Sequence, residues 1–491
     1  MSGVAEFLIR HAGEGPVSFH MPGHKGSQLY RRFGYGEFLD RFFDCDITEI
    51  PGADNLFQAE SIIAETMDKY RRLYDTRASY LLINGTSGGL IASIMTAVAP
   101  GKKLIMARNC HKAVFNALTL GNIQPLYAHP SEVAEYGIAG PVEPEEIRRL
   151  LAEEPDAEAV ILPSPNYYGI CSDIRAIAEE VHEAGKLLIV DQAHGAHLKF
   201  FEGAEAMEAV LPMPQAAESC GADLVVNSVH KTLGSLTQSA VLNVCSERVD
   251  LYRLEDKLQA IESTSPSYIL MGSLDISADI LREHGDELMG AWRENLVWFY
   301  EEAQKIPGLK IMGQGSLDGQ MDLTKINLDM SGCGLDGGRL EEALMQEGIF
   351  AELVTGDILM CMTGLGNTRE DYVRLIRTLQ KIAAASEKSQ VSPEDEPEES
   401  PTAFAESRSG AFLWTKRRPL RDLPAGKELL PIDQCEGRIC ASSIIPYPPG
   451  IPLICPGEEL GAEEIAYVKE LRERGEKVMG IDGQGRIVVG V

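Results

Sequence analysis

The sequence predicts an α/β protein: a mostly parallel sheet covered by helices, joined to a smaller α+β domain and a C-terminal α+β domain. Two observations carry that expectation. Between Ser79 and Asn243, short aliphatic or β-branched runs alternate with longer segments of helical apolar spacing, the pattern of parallel strands joined by crossover helices. Farther on, a stretch rich in Pro, Ser and acid, from Ser386 to Ser409, cannot bury enough apolar surface to order itself and marks a linker. The 491 residues suggest about three domains, and 44% hydrophobic with 24% charged residues is a globular composition.

In order along the chain, residues 1–40 read as an N-terminal arm and 41–290 as the large domain. Within it, 80–84 (YLLIN), 103–107 (KLIMA), 159–163 (AVILP), 187–191 (LLIVD) and 223–227 (DLVVN) read as strands. Segments 144–153 and 174–184 carry helical spacing, the first with acids in its opening turn. The smaller domain, 291–385, shows helices near 294–306, 338–348 and 369–384, with strands near 309–312 and 321–328 and a late strand over 358–367. The linker is placed at 386–411, and apolar character returns over 412–491.

The balance of 74 acids against 45 Lys and Arg, net charge -29, repels phosphate backbones and anionic lipid, so neither nucleic acid nor a membrane surface is an expected partner. The longest apolar run, Leu90 to Pro100, holds Ser and Thr and is too short to cross a bilayer. The opening MSGVAEFLIR has no basic region before an apolar run, and ten scattered cysteines form no CxxC pair. Reduced thiols in the cytoplasm are expected.

In α/β sheets ligands sit at the carboxyl ends of strands, and here those ends are unusually polar. The first runs into Asn84-Gly85-Thr86-Ser87-Gly88-Gly89, a turn opening a helix, whose hydroxyls and free N–H groups suit a phosphate. It lacks the lysine of an ATP loop and the glycine spacing of a dinucleotide site, and a plain strand-to-helix connection is an equal reading. The others end in Arg108-Asn109-Cys110-His111, Asp191-Gln192-Ala193-His194 and Ser228-Val229-His230-Lys231. Zinc on Asp191, His111, His194 and His197 is one candidate, but the spacing fits no zinc motif and the nearby lysine repels a cation; no metal is expected. Pyridoxal 5'-phosphate suits the set better, because it needs an amine for its aldehyde, donors for its phosphate and a carboxylate for its ring nitrogen.

The runs Phe19-His-Met-Pro-Gly-His-Lys-Gly26, Asp46 to Asp54, Arg108 to Lys112, Val190-Asp-Gln-Ala-His-Gly195, Ser228 to Lys231 and Tyr447 to Glu458 together resemble the bacterial ornithine/lysine/arginine decarboxylase family, in a short form without its N-terminal wing. The resemblance implies the PLP-dependent transferase fold of type I, decarboxylation of a basic amino acid, and a homodimer with its active site at the subunit interface. It implies Lys231 as the lysine that binds the cofactor, Asp191 as partner of the pyridinium nitrogen, and His111 stacked on the ring. His194 would lie beside that aspartate, Thr86, Ser87, Ser228 and His230 around the phosphate, and Glu458 in the substrate site. One departure is Gln192, where the family usually has Glu. A transaminase with the same cofactor, or a non-catalytic relative, is the alternative.

Overall fold

The computed structural model describes residues 3–202, 211–313, 320–389, 426–447, 450–475 and 477–491. Its centre is a seven-stranded sheet of β1 (Ala78–Leu82), β2 (Lys103–Ala107), β3 (Gln124–Ala128), β4 (Ala157–Pro163), β5 (Leu187–Asp191), β6 (Leu224–Asn227) and β7 (Ala240–Val244), in the order β1-β7-β6-β5-β4-β2-β3. Only β7 runs against its neighbours; the remaining pairings are parallel. The inner strands are buried on both faces, which is why they read as unbroken aliphatic runs.

Strands 103–107 and 187–191 have the expected bounds, whereas β1 ends two residues early because Gly85, at φ 67°, already begins helix α1 (Gly85–Ala97). Strands β3 and β7 are not among those expected from the sequence. Pro125 weakens the strand signal of β3 and is tolerated because that strand lies at the sheet's edge. The crossover helices α2 (Lys112–Gly121), α3 (Pro144–Glu153) and α4 (Ile174–Glu183) bury their apolar stripes against the sheet.

The boundary expected at 290/291 falls inside α5 (Tyr268–Ala303), a 36-residue helix started by the Ser267 side chain, which accepts from the Leu270 N–H. Its first half meets the large domain, where Tyr70 Oη donates to the Leu274 carbonyl at 2.8 Å; its second half meets the small one, where Trp292 Nε1 donates to Thr363 Oγ1 at 2.9 Å. The small sheet is antiparallel, in the order Lys310–Ile311, Lys325–Asp329, Ile358–Met362, Leu353–Thr355. The strand expected from 321 begins only at Lys325, because Asp322 turns the chain by accepting the Thr324 N–H. The arm joins this domain: Val17–Ser18 pairs with Ile349–Phe350, and Phe19 packs edge-on against Tyr372.

Of the linker expected at 386–411, residues up to Ser389 continue the helix Arg369–Ser389 and the rest lie outside the described residues. The C-terminal unit, described from Gly426, pairs Lys427–Pro431 with Arg486–Gly490 and packs the helix Ala462–Glu473 over a small core that includes Cys435, Cys440, Leu453 and Val468. Among the described residues no helix is long and apolar enough to cross a membrane.

Candidate active site

The carboxyl ends of β1, β2, β4, β5 and β6 surround a cleft of about 430 Å³, into which Thr86, His111, Tyr167, Asp191, His194 and Lys231 project. Local sequence explains how each arrives there. Gly89 has no room for a side chain, since a Cβ would come within 2.5 Å of Leu82 and 2.8 Å of Val226; α1 therefore lies close on the sheet and its first turn opens at the strand end. Thr86 accepts a hydrogen bond from Ser228 Oγ at 3.3 Å, joining the turns after β1 and β6. Ser87, one residue on, is exposed.

His111 caps α2: its Nδ1 accepts the Ala113 N–H at 3.3 Å, leaving the proton on Nε2. Burial, with Lys231 and Lys112 nearby, pushes its pKa down to about 3, so the ring is neutral. His230 is buried behind the cleft with Nδ1 donating to the Ser239 carbonyl at 2.7 Å, and burial lowers it to about 4. The arm crosses here, the Gly23 N–H donating to the His230 carbonyl at 2.7 Å. Gly23 is required, because a Cβ would sit 2.6 Å from the Thr232 backbone.

At the centre, Lys231 Nζ donates to His194 Nε2 at 2.9 Å and lies 5.8 Å from the Tyr167 ring centroid. Tyr167 in turn packs on His194, with centroids 4.4 Å apart. Burial lowers the Lys231 pKa against the opposing pull of Asp191 and Glu352, which raises the share of free, nucleophilic amine. Burial and the Lys231 charge hold His194 well below the usual histidine range, and among the described residues its Nδ1 has no hydrogen-bond partner. Asp191 is raised by burial, with Lys231 and the Ala193 N–H, at 3.2 Å, pulling the other way. A carboxylate facing a cleft with one hydrogen bond, an imidazole nitrogen with none, a lysine of lowered pKa and a hydroxyl pair at a helix start form the donor set that pyridoxal 5'-phosphate requires, and the group fits.

Residues 4–311 match the family model described as Orn/Lys/Arg decarboxylase, major domain, and residues 422–485 match the model of that family's C-terminal domain. The chain belongs to the Orn/Lys/Arg decarboxylase family. It is 30% identical over 481 residues to an arginine decarboxylase of Bacillus subtilis, covering 96% of this chain and 94% of that one. It is 24% identical to lysine decarboxylase LdcA of Pseudomonas aeruginosa, covering 92% and 73%. The crystal structure of lysine decarboxylase LdcF from Francisella novicida superposes with a TM-score of 0.75 at 20% identity, covering 98% of this chain and 80% of that one. The fold is that of the type I pyridoxal-phosphate enzymes, and the protein is a pyridoxal-phosphate-dependent amino acid decarboxylase.

Two features of this decarboxylase depart from the expectations. Glu458 does not line the cleft: it is 1% exposed and both of its oxygens face Arg108, at 3.0 and 2.8 Å. A carboxylate already holding a guanidinium is not free for a substrate cation, so its place in the substrate site is corrected. The second is a buried group the sequence reading missed. From the small domain, Lys325 Nζ donates to the His194 carbonyl at 2.8 Å and pairs with Asp322 at 3.1 Å, which also meets His197 Nε2 at 3.2 Å. No strand-end signal announces Lys325, since it begins a strand in another domain. Tyr167 was missed for a different reason: the Pro-rich turn after β4 shows neither acid nor histidine. Gln192, the departure from the family pattern, has a local cause: its Nε2 donates at 2.8 Å to Glu218, which would repel a glutamate there.

Proposed function

We propose that this enzyme removes the α-carboxylate of arginine or lysine, with ornithine as the third candidate, and releases the amine that serves polyamine synthesis. The single observation that carries the reading is Lys231, lowered in pKa and hydrogen-bonded to His194 across from Asp191 in one cleft. In this reading Lys231 binds the cofactor's aldehyde carbon and Asp191 holds the proton on its ring nitrogen. Neutral His111 would stack on the cofactor, His194 would buttress the lysine beside Asp191, and Thr86, Ser87, Ser228 and His230 would hold the phosphate. Bound pyridoxal phosphate would supply the electron sink for the pair left when carbon dioxide departs. The chain's own residues would then return a proton to the α-carbon, for which Lys231 Nζ, steadied by its hydrogen bond to His194 Nε2, is the donor.

Transamination is disfavoured by where the arginine goes. A transaminase clamps the α-carboxylate with an Arg from its small domain, and the first after the strand Ile358–Met362 is Arg369. Its guanidinium instead lies 4.0 Å from the Trp298 ring centroid and donates to Asn295 Oδ1. A cationic substrate suits the net charge of -29, and the names of the relatives above point to arginine and lysine. Ten free cysteines suit the cytoplasm.

A homodimer is part of the proposal. Phe43 is 90% exposed and Ile50 54%, with Phe42, Ile47 and Ile62 also exposed, an apolar surface that a second copy would cover. Thr264 and Ser265 are exposed on the loop before α5 and so could reach a partner's site. The test is kcat/KM for arginine, lysine and ornithine, with carbon dioxide and the amine quantified. A preference for an acidic or aromatic amino acid, or formation of the keto acid, overturns the reading.

A further inference from the structure

We propose that Arg108 and Glu458 are positioning residues through which the C-terminal domain holds the turn carrying His111. Arg108 follows the last residue of β2 and stands three residues before His111. Its guanidinium is fully buried and spends its donors on one short segment of the C-terminal domain: Nε and Nη2 on Glu458, at 3.0 and 2.8 Å, Nη1 on the Pro452 carbonyl at 2.7 Å, and Nη2 also on the Leu453 carbonyl at 2.9 Å. On the far side of His111, the Lys112 N–H donates to the Gly450 carbonyl at 3.2 Å. Residues 450–458 thus grip the chain both before and after the histidine.

The grip is itself braced. Glu458 Oε2 accepts the Cys455 N–H at 2.8 Å, the Arg108 N–H donates to the Ala128 carbonyl at 2.8 Å, and the Tyr127 ring lies 5.4 Å from the guanidinium carbon. A pair removed this completely from water gains little net stability over apolar side chains of similar volume. What a planar fork held at three acceptors does supply is fixed geometry, which a lysine cannot reproduce. His111 lines the cleft beside Lys231, so a displaced turn would misplace the imidazole there. The inference rests on the decarboxylase reading for its kinetic arm only.

The test compares the full-length enzyme with Glu458→Gln, Glu458→Asp and Arg108→Lys, using three readouts. Amide hydrogen exchange over residues 108–115 should accelerate in the apoenzyme of Glu458→Gln and Arg108→Lys. The affinity of the same apoenzymes for pyridoxal phosphate, titrated by visible circular dichroism, should weaken. kcat should fall about tenfold or more, as small misplacements do, with KM within about twofold of wild type, and Glu458→Asp should recover part of each. If the single variants do not yield folded protein, Arg108→Met/Glu458→Met, which leaves no buried charge alone, carries the same readouts. Unchanged exchange and affinity overturn the proposal. So does a raised KM with kcat retained, which would return Glu458 to the substrate. A wild-type enzyme releasing no carbon dioxide would instead remove the decarboxylase reading and leave the exchange and affinity arms in force.

Discussion

Asp191 and Asp322 are both buried aspartates, one near Lys231 and one paired with Lys325, and they are handled in opposite ways. Asp322 accepts from His197, from the Thr324 hydroxyl and N–H, and from Lys325. Although burial alone would raise it, these partners, Lys325 foremost, hold its pKa well below the usual carboxylate range. Among the described residues the Asp191 carboxylate accepts only the Ala193 N–H, and burial raises it. One carboxylate is finished within the chain and acts as structure; the other is left short of partners where it faces the cleft. An incompletely satisfied buried charge costs stability unless a ligand completes it, so the difference marks where a ligand belongs.

The sharpest test of that contrast is at the lysines' end of the site. Lys231→Ala should abolish turnover and the visible absorbance band of the bound cofactor, since among the described residues no other lysine lines the cleft; activity near wild type would break the assignment. Asp191→Asn should lose on the order of a hundredfold or more in kcat, while the apoenzyme's melting temperature holds or rises because a costly buried charge is gone. A loss below about tenfold, roughly 1.4 kcal/mol, would mean that Asp191 carries no such role.

Asp322→Asn should do the reverse. Leaving Lys325 buried without its anion should cost about 3–5 kcal/mol of stability, read as a lower unfolding midpoint in the apoenzyme, and equal stability of the two Asn variants would erase the comparison. The smallest expected effect is in pH. His230 is lowered to about 4 from an unfolded value near 6.5, so the unfolded chain binds more protons between those values. The stability tied to its neutral form is complete above about pH 6.5 and drains as pH falls towards 4, by up to about 1.4 kcal/mol per unit. In the apoenzyme, His230→Gln should therefore flatten the fall in melting temperature between pH 7 and pH 5; a parallel curve would show that His230 is not neutral when folded.

Much of the large domain is legible without the structure, because parallel strands buried on both faces must be aliphatic throughout and their polar residues can stand only at the ends. That is why Asp191, His111 and Lys231 could be singled out together: each stands at or just past the end of a strand whose interior has no room for it. Pro125 hid an edge strand. The helix Tyr268–Ala303 crosses the domain boundary read from composition, since a helix packed along one continuous core shows no break in its apolar pattern. Lys325 and Arg108 read as ordinary charged residues in sequence and are fully buried in the fold.

From residue types and their order alone follow the α/β class, the family resemblance and the chemical inventory at the strand ends. Local periodicity and backbone preference settle these within a few residues of each position. Which of those charges are free was decided only by the tertiary structure. The availability of a carboxylate depends on how far it is removed from water and on which donors reach it through space: Arg108 reaches Glu458 across 350 positions of chain, while among the described residues the Asp191 carboxylate receives only the Ala193 N–H.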